Sequence, residues 1–246
     1  MPLNYGQATS LALDPIEKKP LARFCPGSFI LSYGSFGCNL RCPYCQNASI
    51  SMAGPEGCPH RTITPEGLTD LAVDLSKEQP GNIGVAFTYN EPLMSYEFIV
   101  DTSKLLHEAG LKSVVVTNGG ICRPYADKLL PHVDALNIDL KGFSDEFYHY
   151  VKGEFETVKD FIKNAYERGC HVELTTLVIP TKNDHPEEME RECKWIASIS
   201  PEIPLHLSRF FPRYKVVNLP PTPAETIFRL KDIAEKHLKY VYTGNL

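Results

Sequence analysis

The chain has 246 residues, of which 43% are hydrophobic and 22% charged, with a formal charge of −5 at neutral pH. That is enough apolar mass for one α/β barrel or two small domains, and the acidic balance argues against the basic stripe of a nucleic-acid-binding surface. No apolar run approaches a membrane span and the N-terminus lacks the apolar core of a signal peptide. The eight cysteines are therefore expected to be reduced thiols of a cytoplasmic protein, serving metal binding or catalysis rather than disulfides.

Residues 1–28 show no clear periodicity, and Pro15, Pro20 and Pro26 favour an extended arm laid over the body as a solvated segment. From Phe29 onward, β-rich runs alternate with helical patterns. The runs are Phe29–Ser35, Ile83–Thr88, Lys112–Thr117, Ala135–Leu140, His171–Ile179 and Pro204–Ser208, and Tyr240–Tyr242 could add another. Thr64-Pro65 and Ser95 start helices, the second ending at Gly110. Thr157 begins a third, with Val158, Phe161, Ile162 and Ala165 on one face and Gly169 after it. Residues 186–198 carry Met189, Cys193 and Ile196 at helical spacing, and Thr222-Pro223-Ala224-Glu225 reads as a capping box. Six strand–helix units without a linker imply parallel strands and right-handed crossovers. The expected fold is α/β, a partial (β/α)6 TIM-like barrel over residues 29–246, open where its first and last strands fail to meet.

The first strand leads into Ser-Phe-Gly-Cys-Asn-Leu-Arg-Cys-Pro-Tyr-Cys-Gln-Asn, which spaces Cys38, Cys42 and Cys45 as C-x3-C-x2-C. Gly37 and Pro43 make a tight loop on which three thiolates can converge. Three thiolates fall short of a structural zinc site but suit a cubane iron–sulfur cluster with one iron left open for a chelating ligand. The alternatives are a zinc knuckle completed by His60 or Cys58, and three unrelated buried thiols.

In α/β barrels the site lies at the C-terminal strand ends. There the chain places Thr88-Tyr89-Asn90-Glu91-Pro92, then Thr117-Asn118-Gly119-Gly120, then Asp139-Leu140-Lys141. The fifth strand ends near Val178-Ile179-Pro180 and the sixth at His206-Leu207-Ser208-Arg209. Singly, each has a plain structural explanation: a turn, a solvated carboxylate, an ion pair, a core histidine. Five of the six ends carry polar or ionisable groups, and packing alone does not explain that concentration.

The cysteine spacing with the aromatic Tyr44 resembles the radical S-adenosylmethionine (radical SAM) superfamily. That resemblance implies a [4Fe-4S] cluster on Cys38, Cys42 and Cys45, with Tyr44 against the adenine of S-adenosylmethionine (SAM). Asn90 and Glu91 stand where a Gly-Gly-Glu-Pro-like motif receives the SAM amine. Thr117, Asn118, Asp139, Lys141 and His206 resemble the positions that, in the pyruvate formate-lyase activating enzyme family, line the ribose and carboxylate end. Val116 stands where that family has an acidic residue. Tyr5-Gly6, residues 14–21, Pro26-Gly27-Ser28, Gln46-Asn47 and the run from His206 to Lys215 are similar to a branch called the AmmeMemoRadiSam-system radical SAM enzymes.

The resemblance further implies reductive cleavage of SAM to methionine and a 5′-deoxyadenosyl radical, which takes hydrogen from a substrate, as a glycyl-radical-enzyme activase does. Its implied partners are a one-electron donor such as reduced flavodoxin or ferredoxin, and a protein substrate or AMMECR1/Memo-type partner proteins. Two other readings stay open at this point. One is a radical SAM enzyme acting on a small metabolite or on RNA; the other is a non-catalytic iron–sulfur or zinc protein.

Overall fold

β-Branched runs bounded by polar turns form the strands, and in a computed structural model describing residues 2–246 they build one large sheet. In chain order the strands are β1 (Gln7–Ala8), β2 (Ser10–Pro15), β3 (Phe29–Gly34), β4 (Arg61–Thr62), β5 (Asn82–Thr88) and β6 (Lys112–Thr117). They continue as β7 (Ala135–Asp139), β8 (His171–Val178), β9 (Leu205–Arg209) and β10 (Val241–Gly244). The helices are α1 (Ala48–Ser51), α2 (Pro65–Ser76), α3 (Tyr96–Glu108), α4 (Arg123–Leu129), α5 (Asp145–Val151), α6 (Phe155–Glu167), α7 (Pro186–Ile199) and α8 (Ala224–Ala234).

The sheet order is β10-β9-β8-β7-β6-β5-β3-β2, parallel from β3 to β10, so β10 and β2 are the two free edges of an open barrel. All six expected strands are present, and the optional seventh is real: Val241 pairs with Leu205. Leu136 and Ile138 face the helices, while Ala135, Asn137 and Asp139 alternate with them towards the barrel interior.

The N-terminal residues are more than a surface arm. β2 pairs antiparallel with β3 along its whole length. The chain then passes beneath the strand starts, where Ile16 and Leu21 pack on Ile30, Ala86, Val114 and Ala135 as a separate apolar plug. Pro20 accepts a hydrogen bond from Asn137 Nδ2 (2.8 Å), and the Ala22 and Arg23 amides donate to Glu173 (3.0 and 2.8 Å). This segment is the barrel floor. Its prolines suit it because this irregular segment joins no strand ladder.

Thr64 caps α2 through Gly67 N–H (3.1 Å), as its position before Pro65 predicts. The expected box at Thr222 does not form, because the Thr222 hydroxyl donates to Val178 O (2.6 Å) and leaves α8 to begin at Ala224 without a side-chain cap. A tertiary bond outcompetes the local one. Helix α5 is short and lacks a clean apolar period, so only Ser144, which accepts from Phe147 N–H (3.3 Å), announces it.

Candidate active site at the mouth of the barrel

The loop after β3 is shaped by its own backbone and by β5. Gly37 has φ +86°, in the left-handed region that a side chain would strain. Asn90 holds the loop from the end of the neighbouring strand: its Oδ1 accepts from Ser35 N–H (3.0 Å) and its Nδ2 donates to Phe36 O and Gly37 O (3.0 and 3.1 Å). Both ends of that amide are thus engaged with the loop, so Asn90 fixes its position. Arg41 donates to the carbonyls of Cys38 and Leu40, tying the turn from inside.

Cys42 is buried, while Cys38 and Cys45 are half-buried. Burial pushes the Cys38 thiol up to about 12, with nearby Glu91 adding to it and the Leu40 amide opposing. Burial likewise raises Cys42, with Lys141 pulling the other way. Such thiols stay protonated until a metal centre replaces the protons. The donor set fits a cluster: Cys38 Sγ already accepts from Leu40 N–H (3.3 Å) and faces Asn118 Nδ2 at 3.7 Å, the kind of hydrogen bond that stabilises a ligating sulfur. Among the described residues no three His, Cys, Asp or Glu side chains gather tightly enough to hold a single metal ion, with or without Cys58 and His60. His60 Nδ1 is instead 3.0 Å from Cys58 O.

Glu91, buried at 3% exposure, joins this loop to the next strand end. Its carboxylate accepts from Leu93 N–H (3.0 Å), Thr117 Oγ1 (2.6 Å) and Asn118 N–H (2.8 Å). Burial pushes it up to about 7 against those three donors. Asn118 reaches onward, donating to Asn39 Oδ1 (2.8 Å) and accepting from Gly120 N–H (2.8 Å). A Cβ on Gly120 would lie 2.8 Å from Asn39 Nδ2 and 2.9 Å from Asn118 Oδ1, so the second glycine of that turn is demanded by the approach. At the end of β7, Lys141 Nζ pairs with Asp139 (2.7 Å). Burial opposes the charge on Lys141, but Asp139 and the Cys42 and Cys38 sulfurs lift it well above the ordinary lysine value.

Two expected members stand elsewhere. The Tyr44 ring, 5% exposed, is packed beside Tyr150 (centroids 6.4 Å) and Phe147 in the core, with its buried hydroxyl unpartnered. His206, second residue of β9, donates or accepts at Glu173 (2.6 Å), whose other bonds go to His171 and the floor amides. It therefore belongs to the floor layer, away from Cys38. The last residue of β9 is Arg209, which donates to Thr222 O. Arg209 and Asn39 were visible in the sequence at a strand end and inside the cysteine motif, but neither has a residue type that singles itself out. Cys38, Glu91, Thr117 and Asn118 are brought into one bonded group, with Asp139 and Lys141 beside Cys42.

The chain is similar to several known proteins. It is 41% identical over 246 residues to an uncharacterized protein of Methanocaldococcus jannaschii, covering 99% of this chain and 72% of that one. It is 29% identical to the pyruvate formate-lyase-activating enzyme of Clostridium pasteurianum, covering 66% of this chain and 67% of that one. Among solved structures, a radical SAM methyltransferase from Sphaerobacter thermophilus superposes with a TM-score of 0.69 at 16% identity, covering 89% of this chain and 67% of the other. A domain of the pyruvate-formate lyase-activating enzyme from Bacteroides vulgatus gives 0.56 at 20% identity, covering 65% and 98%. These likenesses show the fold. The sequence model of the radical SAM superfamily matches residues 33–193, from β3 with its cysteine loop into α7, and the chain belongs to that superfamily, whose enzymes use a [4Fe-4S] cluster and S-adenosylmethionine.

Proposed function

We propose that this enzyme binds SAM between the cysteine loop and Glu91 and uses it for hydrogen abstraction, in a glycyl-radical-enzyme activase-like reaction on a partner protein. The observation that carries the reading is the bonded path Cys38–Asn118–Glu91, which sets the metal-binding loop and a buried carboxylate at a fixed separation. When bound, the reduced cluster supplies the electron that cleaves SAM to methionine and a 5′-deoxyadenosyl radical.

The protein's part is positional. Cys38, Cys42 and Cys45 would hold the cluster through three thiolates, leaving one position for SAM. Glu91, fixed by three donors, offers a carboxylate to the SAM amine in a charge-assisted bond. Thr117 and Asn118 hold Glu91 in place, and the Asp139–Lys141 pair would meet the carboxylate and ribose end. The activase-like choice among radical SAM reactions rests on the relatives named pyruvate formate-lyase-activating enzymes.

The test is anaerobic reconstitution followed by one-electron reduction in the presence of SAM, reading methionine and 5′-deoxyadenosine. Absence of both with an intact cluster refutes the reading. A partner protein deuterated at glycine then decides the substrate class, since label must pass into 5′-deoxyadenosine.

A further inference from the structure

Tyr44 is a tyrosine where the packing asks only for a phenylalanine. Its ring packs on Phe147 and Tyr150 of α5, with centroids 6.4 Å from each, and those two rings meet edge to face at 5.9 Å. Lys182 Nζ lies 4.9 Å over the Tyr150 ring. Held this way, the Tyr44 hydroxyl is buried and has no hydrogen-bond partner among the described residues. An orphaned buried hydroxyl costs stability, and phenylalanine would fill the same space without that cost.

Two other orphans, the Tyr33 and Ser95 hydroxyls, share one small recess with Asn4, Ser35 and Asn90, a polar setting that water can satisfy. Tyr44 faces a sulfur instead. It sits in the turn that Cys45 N–H closes on Cys42 O (3.3 Å), and its hydroxyl lies against the Cys42 side chain. Burial raises the Cys42 thiol; Lys141 opposes, and so does the Tyr44 hydroxyl, as a donor that favours the thiolate. Burial, with Cys42 and Asp139 adding to it, keeps the phenol protonated far above its ordinary value, so the O–H remains a donor. The competing acceptor is Asp139, whose Oδ2 already takes Lys141 Nζ at 2.7 Å.

We propose that the Tyr44 hydroxyl donates a hydrogen bond to Cys42 Sγ once that sulfur ligates the cluster, and thereby sets the potential at which the cluster takes up its electron. The inference rests on the reading that Cys42 is a cluster ligand. A ligating thiolate has lone pairs to offer and no proton of its own, which gives the orphaned hydroxyl its partner. One-electron reduction adds negative charge to the iron–sulfur unit, and a donor on a ligating sulfur favours that state. Tyr44 therefore makes the potential less negative. The cluster becomes easier to reduce and a milder reductant towards SAM, so one hydroxyl balances the two electron transfers against each other.

The test is Tyr44→Phe in the full chain, reconstituted anaerobically and titrated with mediators in the absence of SAM, with the reduced cluster read by electron paramagnetic resonance. Iron and sulfide per chain should match wild type. The midpoint potential should become more negative, the equilibrium constant for one-electron reduction falling several-fold; a tenfold fall would be about 59 mV. Because SAM is left out, a contact between Tyr44 and an adenine cannot produce that shift. The iron–thiolate stretches in the resonance Raman spectrum should move in the same variant. Should Tyr44→Phe fail to assemble a cluster, 3-fluorotyrosine at position 44 carries the test: its phenol is a stronger donor and must shift the potential the opposite way. An unchanged potential in Tyr44→Phe with iron intact, or in the fluorotyrosine protein, overturns the proposal and leaves the hydroxyl to Asp139. Wild-type protein that assembles no [4Fe-4S] cluster would instead strike the cluster reading itself, and this inference with it.

Discussion

The Tyr89 hydroxyl donates to Asp14 Oδ2 across 2.7 Å and 75 residues of sequence, so the N-terminal edge strand holds the residue immediately before Asn90 and Glu91. Asp14 is itself fixed by Lys19 (2.9 Å), Ser32 (2.9 Å) and Lys18 (3.0 Å). Tyr89 needs such help because it sits at φ +75°, with its carbonyl receiving Asn47 Nδ2 (2.7 Å). Removing the tether should let that strained residue relax and carry Glu91 with it. Tyr89→Phe is expected to cost about 1 kcal/mol of stability and to weaken SAM binding several-fold, with cluster iron unchanged. Equal SAM titrations for variant and wild type would limit Tyr89 to stability.

Each of Cys38→Ala, Cys42→Ala and Cys45→Ala should abolish the intact cluster, because three ligands are the minimum that leaves one iron open. Cys170 and Cys193 are buried away from the loop, and Cys25 and Cys122 are exposed; serine at any of these four should leave iron content and visible absorption at wild-type values. Cys58 belongs with them on geometry, since its thiol lies near Gly54 O rather than beside the other three. Iron lost on replacing Cys58 would make it a fourth ligand and close the open iron position.

Much of this site could be read from the chain because its chemistry is carried by short motifs at strand ends. The cysteine spacing and Glu91, Thr117, Asn118, Asp139 and Lys141 all declare themselves locally. What the sequence does not carry is depth within the barrel. His206 is the conspicuous titratable group near its strand end, but strand order alone does not show that it lies one layer below the mouth with Glu173 as its partner. Tyr44 has the expected place in the motif, yet α5, whose period is too short to be seen, supplies the Phe147 and Tyr150 rings that bury it. The floor was missed for a related reason: Ile16 and Leu21 lie in an irregular, proline-rich stretch, and irregular backbone carries no periodic signal.

Glu91 makes SAM binding pH-dependent in a stated direction. Its folded-state value of about 7 is above the ordinary glutamate range because of burial. The ammonium of SAM needs the ionised carboxylate, so Kd should climb by up to tenfold per unit as pH falls below about 7 and level off above it. Stability runs the opposite way. An unfolded chain ionises Glu91 near 4.5, so the free protein loses up to about 3 kcal/mol as pH rises from there to about 7. Glu91→Gln should flatten the binding profile and gain stability relative to wild type between pH 5 and 8. Parallel profiles for the two proteins would remove Glu91 from the SAM site.

Lys141 and Asp139 should act on SAM rather than on cluster assembly. Asp139→Ala leaves the Lys141 ammonium without its 2.7 Å partner and beside Cys42, where it favours the thiolate. Iron content should therefore hold while 5′-deoxyadenosine formation falls about tenfold or more, the loss expected for a charge-assisted contact. Loss of iron in this variant would show that the pair supports the loop instead.

The floor makes the sharpest stability prediction. Glu173 is fully buried and carries four bonds: His206 (2.6 Å), His171 (2.9 Å) and the Ala22 and Arg23 amides. Burial alone would raise its carboxyl, but these partners hold it down at about 2. A depressed folded-state value means that the contribution is present above the unfolded value, near 4.5, and is lost as pH falls towards 2. Glu173→Ala should cost about 3 kcal/mol at pH 7, because two imidazoles and two amides lose a buried partner. The damage should be local before it is global. Hydrogen exchange at Ala22 and Arg23 should accelerate, and protease should cut within residues 16–28, while the Cys38–Asn118–Glu91 path keeps its protection and the cluster its iron. His206→Gln keeps a donor for Glu173 and should lose much less stability. If His206→Gln instead abolished SAM cleavage with the floor intact, His206 would belong to the mouth after all, and the layer assignment would fall.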